Sequence, residues 1–326
     1  MRQPSRQGVR RCVTFGGACA VLLTLWALAG CSVHSVPEQI APPVEIPEKF
    51  SVSGEVPQVD RWWETFDDPA LNALMDRVLA ENLSLQATYY RIVQAEAAMR
   101  QVASDLWPQL IAELGVERAR TIFNSPVGGT VQDTEWLYSL GFSASYEVDL
   151  WRRVHSLRSA AELDMQATND DRETAAISLA AEAGEAWMTL SEQRAQYRLL
   201  LDQIEVSNTF LELTELRFSQ GQASALDVYQ QRTQVASLEA QLPPVLAQQD
   251  ILEHALAVLA GRPAVKYSAR EADRLPPLSP LPEVGVPASL LKRRPDVRAA
   301  HARLAAADYR VASAIADMLP ALRLGA

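Results

Sequence analysis

Trp136-Leu137-Tyr138-Ser139-Leu140-Gly141-Phe142-Ser143-Ala144-Ser145-Tyr146-Glu147-Val148-Asp149 alternates in chemistry from one residue to the next. Trp136, Tyr138, Leu140, Phe142, Ala144, Tyr146 and Val148 share one parity; Leu137, Ser139, Gly141, Ser143, Ser145, Glu147 and Asp149 share the other. Successive side chains of a strand point to opposite faces, so this pattern predicts a strand with one oily and one wet side. Residues 110–117 behave alike, with Leu110, Ala112, Leu114 and Val116 alternating against Ile111, Glu113, Gly115 and Glu117. A polar stretch holding Pro126, Gly128 and Gly129 separates the two, which makes 110–149 a β-hairpin.

Such a hairpin either half-covers a water-soluble interior or crosses a bilayer. Seven alternate apolar positions suffice for a tilted transmembrane strand of about 9–11 residues. Trp136 and Tyr138 near one end and Tyr146 near the other have the placing of interfacial aromatic girdles. On the bilayer reading, Glu113, Glu117, Glu147 and Asp149 face a water-filled pore and favour cations at its mouth. Arg118 and Arg120 have lipid-side parity but sit near the loop, where headgroups receive them.

Around the hairpin the chain reads as helix. Asp68 is a good N-cap and Pro69 suits the first helical position, with Leu71, Leu74 and Val78 following at helical spacing. A second start near Ser84 runs to Asp105, and Trp107-Pro108 ends it. From Arg152 to Phe218 there is no proline and a single glycine. A continuous helix there would be about 100 Å long. Trp187, Leu190, Arg194, Tyr197, Leu201, Ile204, Asn208, Leu211, Glu215 and Phe218 mark a coiled-coil-like seam with polar interruptions. A turn follows at Ser219-Gln220-Gly221-Gln222-Ala223, and Ser224 with Asp227 caps the helix 224–260. That helix is disturbed at Pro243-Pro244 and stops at Gly261. The expected class is therefore mainly α with one β-hairpin.

The N-terminus reads as an address. Arg2, Arg6, Arg10 and Arg11 precede an uncharged, mostly apolar stretch from Val13 to Ala29, as in an export signal over residues 1–30. Leu28-Ala29-Gly30-Cys31 resembles a bacterial lipobox, which implies lipidation of Cys31 and outer membrane anchoring. Residues 31–66, with Pro37, Pro42, Pro43, Pro47 and Pro57, are expected to run as an extended tether. Asn82-Leu83-Ser84 matches a glycosylation sequon by chance in such a bacterial chain.

Charge narrows the function classes. The net charge is −10, and removing the four N-terminal arginines leaves −14. Nucleic-acid binding needs clustered positive charge, which the short run Lys292-Arg293-Arg294 does not supply. The histidines at 34, 155, 254 and 301 are scattered, with no metalloprotease helix, nucleophile elbow or phosphate loop, so no enzyme chemistry is expected. Cys12, Cys19 and Cys31 build neither a disulfide framework nor a zinc site, and no cofactor is expected.

A shift of 212 positions superposes Ala87, Arg91, Ala95, Asp105, Pro108 and Leu110 on Ala299, Arg303, Ala307, Asp317, Pro320 and Leu322. Both windows read as a helix that ends at a proline and opens into a strand, which predicts a duplication. The divisions are a first repeat over 67–261, a linker over 262–294, and the start of a second repeat over 295–326 that is cut short.

Four stretches then carry a resemblance. They are Trp62-Trp63-Glu64-Thr65-Phe66-Asp67-Asp68-Pro69, Ser145-Tyr146-Glu147-Val148-Asp149-Leu150, Arg217-Phe218-Ser219-Gln220-Gly221 with Leu226-Asp227-Val228, and Leu291-Lys292-Arg293-Arg294-Pro295-Asp296-Val297. In their order and spacing the chain resembles the TolC-like outer membrane efflux proteins, in the lipid-anchored NodT-type branch. The resemblance implies long coiled helices forming a periplasmic α-barrel and strands of a transmembrane β-barrel closed by a homotrimer. It implies a passive conduit for small solutes, set in outer membrane lipid and working with a periplasmic adaptor and an inner membrane pump. It places adaptor contact at Ser219, Gln220, Gly221, Gln222, Ala223 and Ser224, and matches Asp227 to a carboxylate that helps close the periplasmic gate. Arg152 departs from the pattern, since relatives often carry glycine there. A type I secretion outlet and a lipid-anchored coiled-coil envelope scaffold stand as alternatives.

Overall fold

A computed structural model describes residues 34–36, 45, 47–48, 61–124, 128, 130–264 and 287–326. The signal segment, Cys31 and most of the expected tether lie outside the described residues, as does most of the hairpin loop. In chain order, a 3-10 turn at Trp62–Phe66 precedes α1 (Pro69–Glu81), α2 (Leu83–Ser104), β1 (Gln109–Asn124) and β2 (Thr130–Val148). There follow α3 (Arg153–Ser219), α4 (Ala225–Glu239), α5 (Leu242–Leu259), α6 (Pro287–Arg293), α7 (Pro295–Ala316) and β3 (Leu322–Gly325).

The helix starts follow their caps. Asp68 Oδ1 accepts from the N–H groups of Ala70 and Leu71, with Pro69 at the first helical position. Its other oxygen accepts from the indole N–H of Trp187 at 3.0 Å, so a local cap also ties down a residue 119 positions away. The second start is set by Asn82, whose carbonyl accepts from Leu85 N–H while its amide donates to the Leu259 carbonyl. The break expected at Pro243-Pro244 falls earlier, at Ala240-Gln241, and both prolines sit in the first turn of α5, where their missing N–H groups are not needed. The end of the expected tether is not extended: Trp62–Phe66 is helical, and Trp63 is buried. A seven-residue helix, α6, likewise occupies part of the stretch read as linker.

The chain divides into two compact units. The unit made of residues 43–91 and 168–298 holds the larger apolar cluster. There Trp63, Leu71, Leu74, Met75 and Val78 meet Ala180, Ala183, Trp187 and Leu190 of α3, and Leu256 and Leu259 of α5. The small side chains let bulky partners approach closely. A Cβ on Gly184 would lie 2.7 Å from the Trp62 ring, which accounts for the lone glycine of the long helix. Towards α4 and α5, glutamine side chains bond α3 carbonyls, Gln231 to Ser207 and Gln249 to Gln193. The expected seam holds at Trp187 and Leu190, but Leu200 rather than Leu201 is buried, and Phe218 is exposed.

The other unit comprises residues 1–42, 92–167 and 299–326 and contains the sheet. Its strands lie in the order β1-β2-β3, all antiparallel neighbours. Its helical part packs through alanine: Ala167 of α3 meets Ala299 and Ala302 of α7. The 212-position shift carries Leu83 onto Pro295 and Ser104 onto Ala316, so α2 and α7 have the same length, 22 residues each. Their last turns also match: Leu106 N–H to Ala103 and Trp107 N–H to Ser104 correspond to Met318 N–H to Ile315 and Leu319 N–H to Ala316.

Candidate functional site

The hairpin register brings the two apolar faces together. Leu110, Ala112, Leu114 and Val116 stand opposite Ala144, Phe142, Leu140 and Tyr138. β3 extends this face, since Leu324 and Leu322 pair with Tyr146 and Val148. Among the described residues nothing covers it: Leu110 is 81%, Leu114 79%, Phe142 78% and Leu140 68% exposed. So large a contiguous oily surface marks a contact with a partner or a membrane. Among the described residues the hairpin does not half-cover an interior of this chain. Among the described residues, no helix is long and apolar enough to cross a membrane.

The apolar band has edges. Toward the loop it ends where the Arg118 guanidinium sits 5.3 Å from the Trp136 ring centre, and Trp136 stacks beside Tyr138. Beyond it, Arg120 bonds Gln132 on lipid-side parity. The strands, at 16 and 19 residues, exceed what a bilayer needs, so the sheet continues past this girdle as a polar extension.

The opposite face is mostly small or polar, with Ile111 and Leu137 as its large apolar residues: Glu113 pairs with Gly141, Gly115 with Ser139, and Ile111 with Ser143. Glu113 and Glu117 stand exposed on it. Glu147 shares the face but is compensated, accepting from Arg153 at 2.7 Å and from Arg323 at 3.4 Å. Asp149 corrects the parity reading. β2 ends at Val148, and the Asp149 carboxylate turns onto α3, accepting from the N–H groups of Val154 and His155 and bonding His155 Nδ1 at 2.7 Å. It lies past the strand end and caps a helix, while Glu113 and Glu117 stand uncompensated among the described residues on the strand face. Alternation cannot reveal this, because a one-residue change in strand length converts a face residue into a cap.

Burial alone would raise the Asp149 pKa, but its hydrogen bonds with the His155 side chain and the two backbone N–H groups outweigh that and hold it below the ordinary carboxylate value. A depressed carboxylate contributes stability above its unfolded pKa and loses it as the pH falls through the folded value. Hydrogen exchange, corrected for intrinsic rates, should therefore find the Val154 and His155 amides equally protected at pH 7 and 5. Their protection should drop below about pH 3.8, the unshifted aspartate value. Protection that declines already between pH 7 and 5 would refute this cap.

At the other end of α3 the chain reverses. Gly221 has φ +73, and Gln222 N–H bonds the Arg217 carbonyl, closing the helix in a Schellman pattern. Ser224 and Asp227 form a reciprocal capping box at the start of α4. Asp227 is thereby engaged in a local cap, and the Ser224 hydrogen bonds lower its pKa. Ser219, Gln220, Gly221, Gln222 and Ser224 are exposed and Ala223 is half-buried, so the turn presents a small polar surface. Glu215 and Arg232 bridge α3 and α4 just behind it at 2.7 Å.

The sequence profile described as outer membrane efflux protein matches residues 74–262, more than half of the chain. The chain belongs to the outer membrane efflux protein family. Among its relatives, the pyoverdine export outer membrane protein OpmQ of Pseudomonas aeruginosa is 35% identical over 275 residues, covering 82% of this chain and 57% of OpmQ. OpmQ of Pseudomonas putida is 31% identical over 312 residues, covering 94% of this chain and 66% of that relative. The solved structure of the outer-membrane channel OprN superposes with a TM-score of 0.73 at 26% identity, covering 91% of this chain and 66% of OprN. The chain thus spans about three-fifths to two-thirds of the length of these relatives. Family membership gives it the TolC-like fold and an outer membrane location.

Proposed function

We propose that this efflux-family chain supplies transmembrane strands and periplasmic helices to an outer membrane channel of a tripartite export pump. The channel acts as a passive conduit and performs no bond chemistry. The OpmQ relatives are named for pyoverdine export, and solute export is the activity we assign here. The observation that carries the reading is the in-register apolar face, exposed along β1 and β2 and backed by a mostly small or polar face.

A three-stranded sheet leaves unpaired edges on β1 and β3, and edges cannot remain open in hydrocarbon. Closure by further strands from copies of the chain, in a homotrimer, removes them. Cys31 is the lipidation site that holds the N-terminus to the same membrane. The turn Ser219–Ser224 is the surface for a periplasmic adaptor, which links to an inner membrane pump.

Spin labels at Leu140 and Phe142 of the reconstituted chain should relax with lipid-dissolved oxygen, while labels at Ser139 and Ser143 should respond to a water-soluble nickel reagent. The reverse pattern would remove the membrane-spanning reading. For the tip, Ala223→Glu should weaken adaptor capture by about 10-fold or more, the scale set by desolvating an unpaired charge at an interface. Outer membrane insertion should be unchanged. Undiminished capture would exclude this turn as the contact.

A further inference from the structure

We propose that the junction between β2 and α3 holds a binding site for the phosphate of a membrane lipid headgroup, with Arg152 as its permanent charge. The inference rests on the bilayer reading of the hairpin and on lipidation at Cys31. A cavity of about 150 Å³ opens there, lined by His34, Trp151, Arg152, His155, Ser156 and Tyr309 among others.

Its lining is unusual for an acidic chain. The two carboxylates beside it are both engaged by histidine, Asp308 with His34 at 2.8 Å and Asp149 with His155 at 2.7 Å. Among the described residues the Arg152 side chain has no carboxylate partner. Three N–H groups in the first turn of α3 are already taken, Val154 and His155 by Asp149 and Ser156 by the Arg152 carbonyl. The side-chain donors left for an anion are the Arg152 guanidinium and the hydroxyls of Ser156 and Tyr309. Guanidinium and hydroxyl donors together match the several acceptor oxygens of a phosphate.

Arg152 also holds φ +60, a left-handed conformation that favours glycine. A long side chain kept at such a position, where glycine would relax the backbone, directs attention to what the side chain does. Depth makes the ligand a lipid. The cavity begins where β2 and its apolar face end at Val148. His34 follows Cys31 by three residues, a reach of at most about 11 Å, so acyl chains on Cys31 would enter the bilayer close by.

Arg152→Gly separates the roles, because it removes the charge while relieving the backbone. Native mass spectrometry of the full chain in detergent, titrated with phosphatidylglycerol, phosphatidylcholine or inorganic phosphate, measures the site directly. The wild-type chain should prefer phosphatidylglycerol, and Arg152→Gly should weaken that binding by about 10-fold, as expected for a lost charge-assisted hydrogen bond. The variant should be folded at least as stably as the wild type. Equal phosphatidylglycerol binding by both proteins would overturn the proposal. Inorganic phosphate binding as tightly as the lipid would overturn its lipid assignment. Flotation with vesicles tests the underlying reading separately: a wild type that floats without a phosphatidylglycerol preference removes the site alone, and one that fails to float removes the bilayer reading.

Discussion

Phe142→Arg should keep the hairpin from inserting into the outer membrane, whereas Ser143→Arg should leave insertion intact and alter only conduction. Phe142 lies midway between Trp136 and Val148 along the exposed apolar face, at the depth where a charge meets hydrocarbon. An arginine on the lipid face of a barrel strand at the midplane is unfavourable by about 2–4 kcal/mol, falling toward zero near the interfaces. In a homotrimer that penalty recurs in every protomer. Ser143 is its immediate neighbour but points the other way, opposite Ile111 on the mostly small or polar face, where water can receive the guanidinium. Protease protection of the hairpin in outer membranes, which a lipid anchor on Cys31 does not confer, gives the answer. Equal protection in the two variants would contradict the assignment of faces.

Gly261→Ala should destabilise the chain by about 3 kcal/mol or more, while Gly221→Ala should lose about 1–2 kcal/mol. Both glycines end helices in the left-handed region, at φ +67 and +73. Both accordingly impose a backbone penalty on any L side chain. Their surroundings differ. A Cβ at Gly261 would stand 2.3 Å from the Glu81 carbonyl oxygen, and a backbone atom at the end of α1 cannot step aside without disturbing the Trp63 cluster behind it. A Cβ at Gly221 would meet nothing within 4 Å. Urea midpoints of the purified variants, compared with the wild type, isolate the packing contribution as the difference between the two. Similar shifts for both would show that the α1 terminus yields and that only the backbone conformation matters.

The contrast between these glycines also shows what could be read beforehand. Each was legible as a helix stop, because left-handed closure is a local preference of glycine. That one is crowded and the other open depends on α1 arriving beside Gly261, which no nearby residue announces. The candidate site divides in the same way. The parity of residues 136–149 was plain, as were the Asp68-Pro69 and Ser224-Asp227 caps. The compensation of Glu147 by Arg153 and Arg323 was not, because Arg323 arrives from 176 positions away. Arg152 stood out only against a glycine-bearing pattern, and the structure supplies the reason in its positive φ.

What the sequence determined by itself was everything governed by contacts within a turn or a pleat: the two faces of the hairpin, the helix starts and stops, and a helix–proline–strand unit recurring 212 positions on. Such features depend on backbone geometry and on neighbours a few residues away. Only the tertiary structure decided the register that aligns Leu114 with Leu140, the docking of β3 on β2, the departure of Asp149 from the strand face, and the burial of Leu200 instead of Leu201. These depend on which distant segment lies alongside, and several partners satisfy the same local pattern until packing selects one.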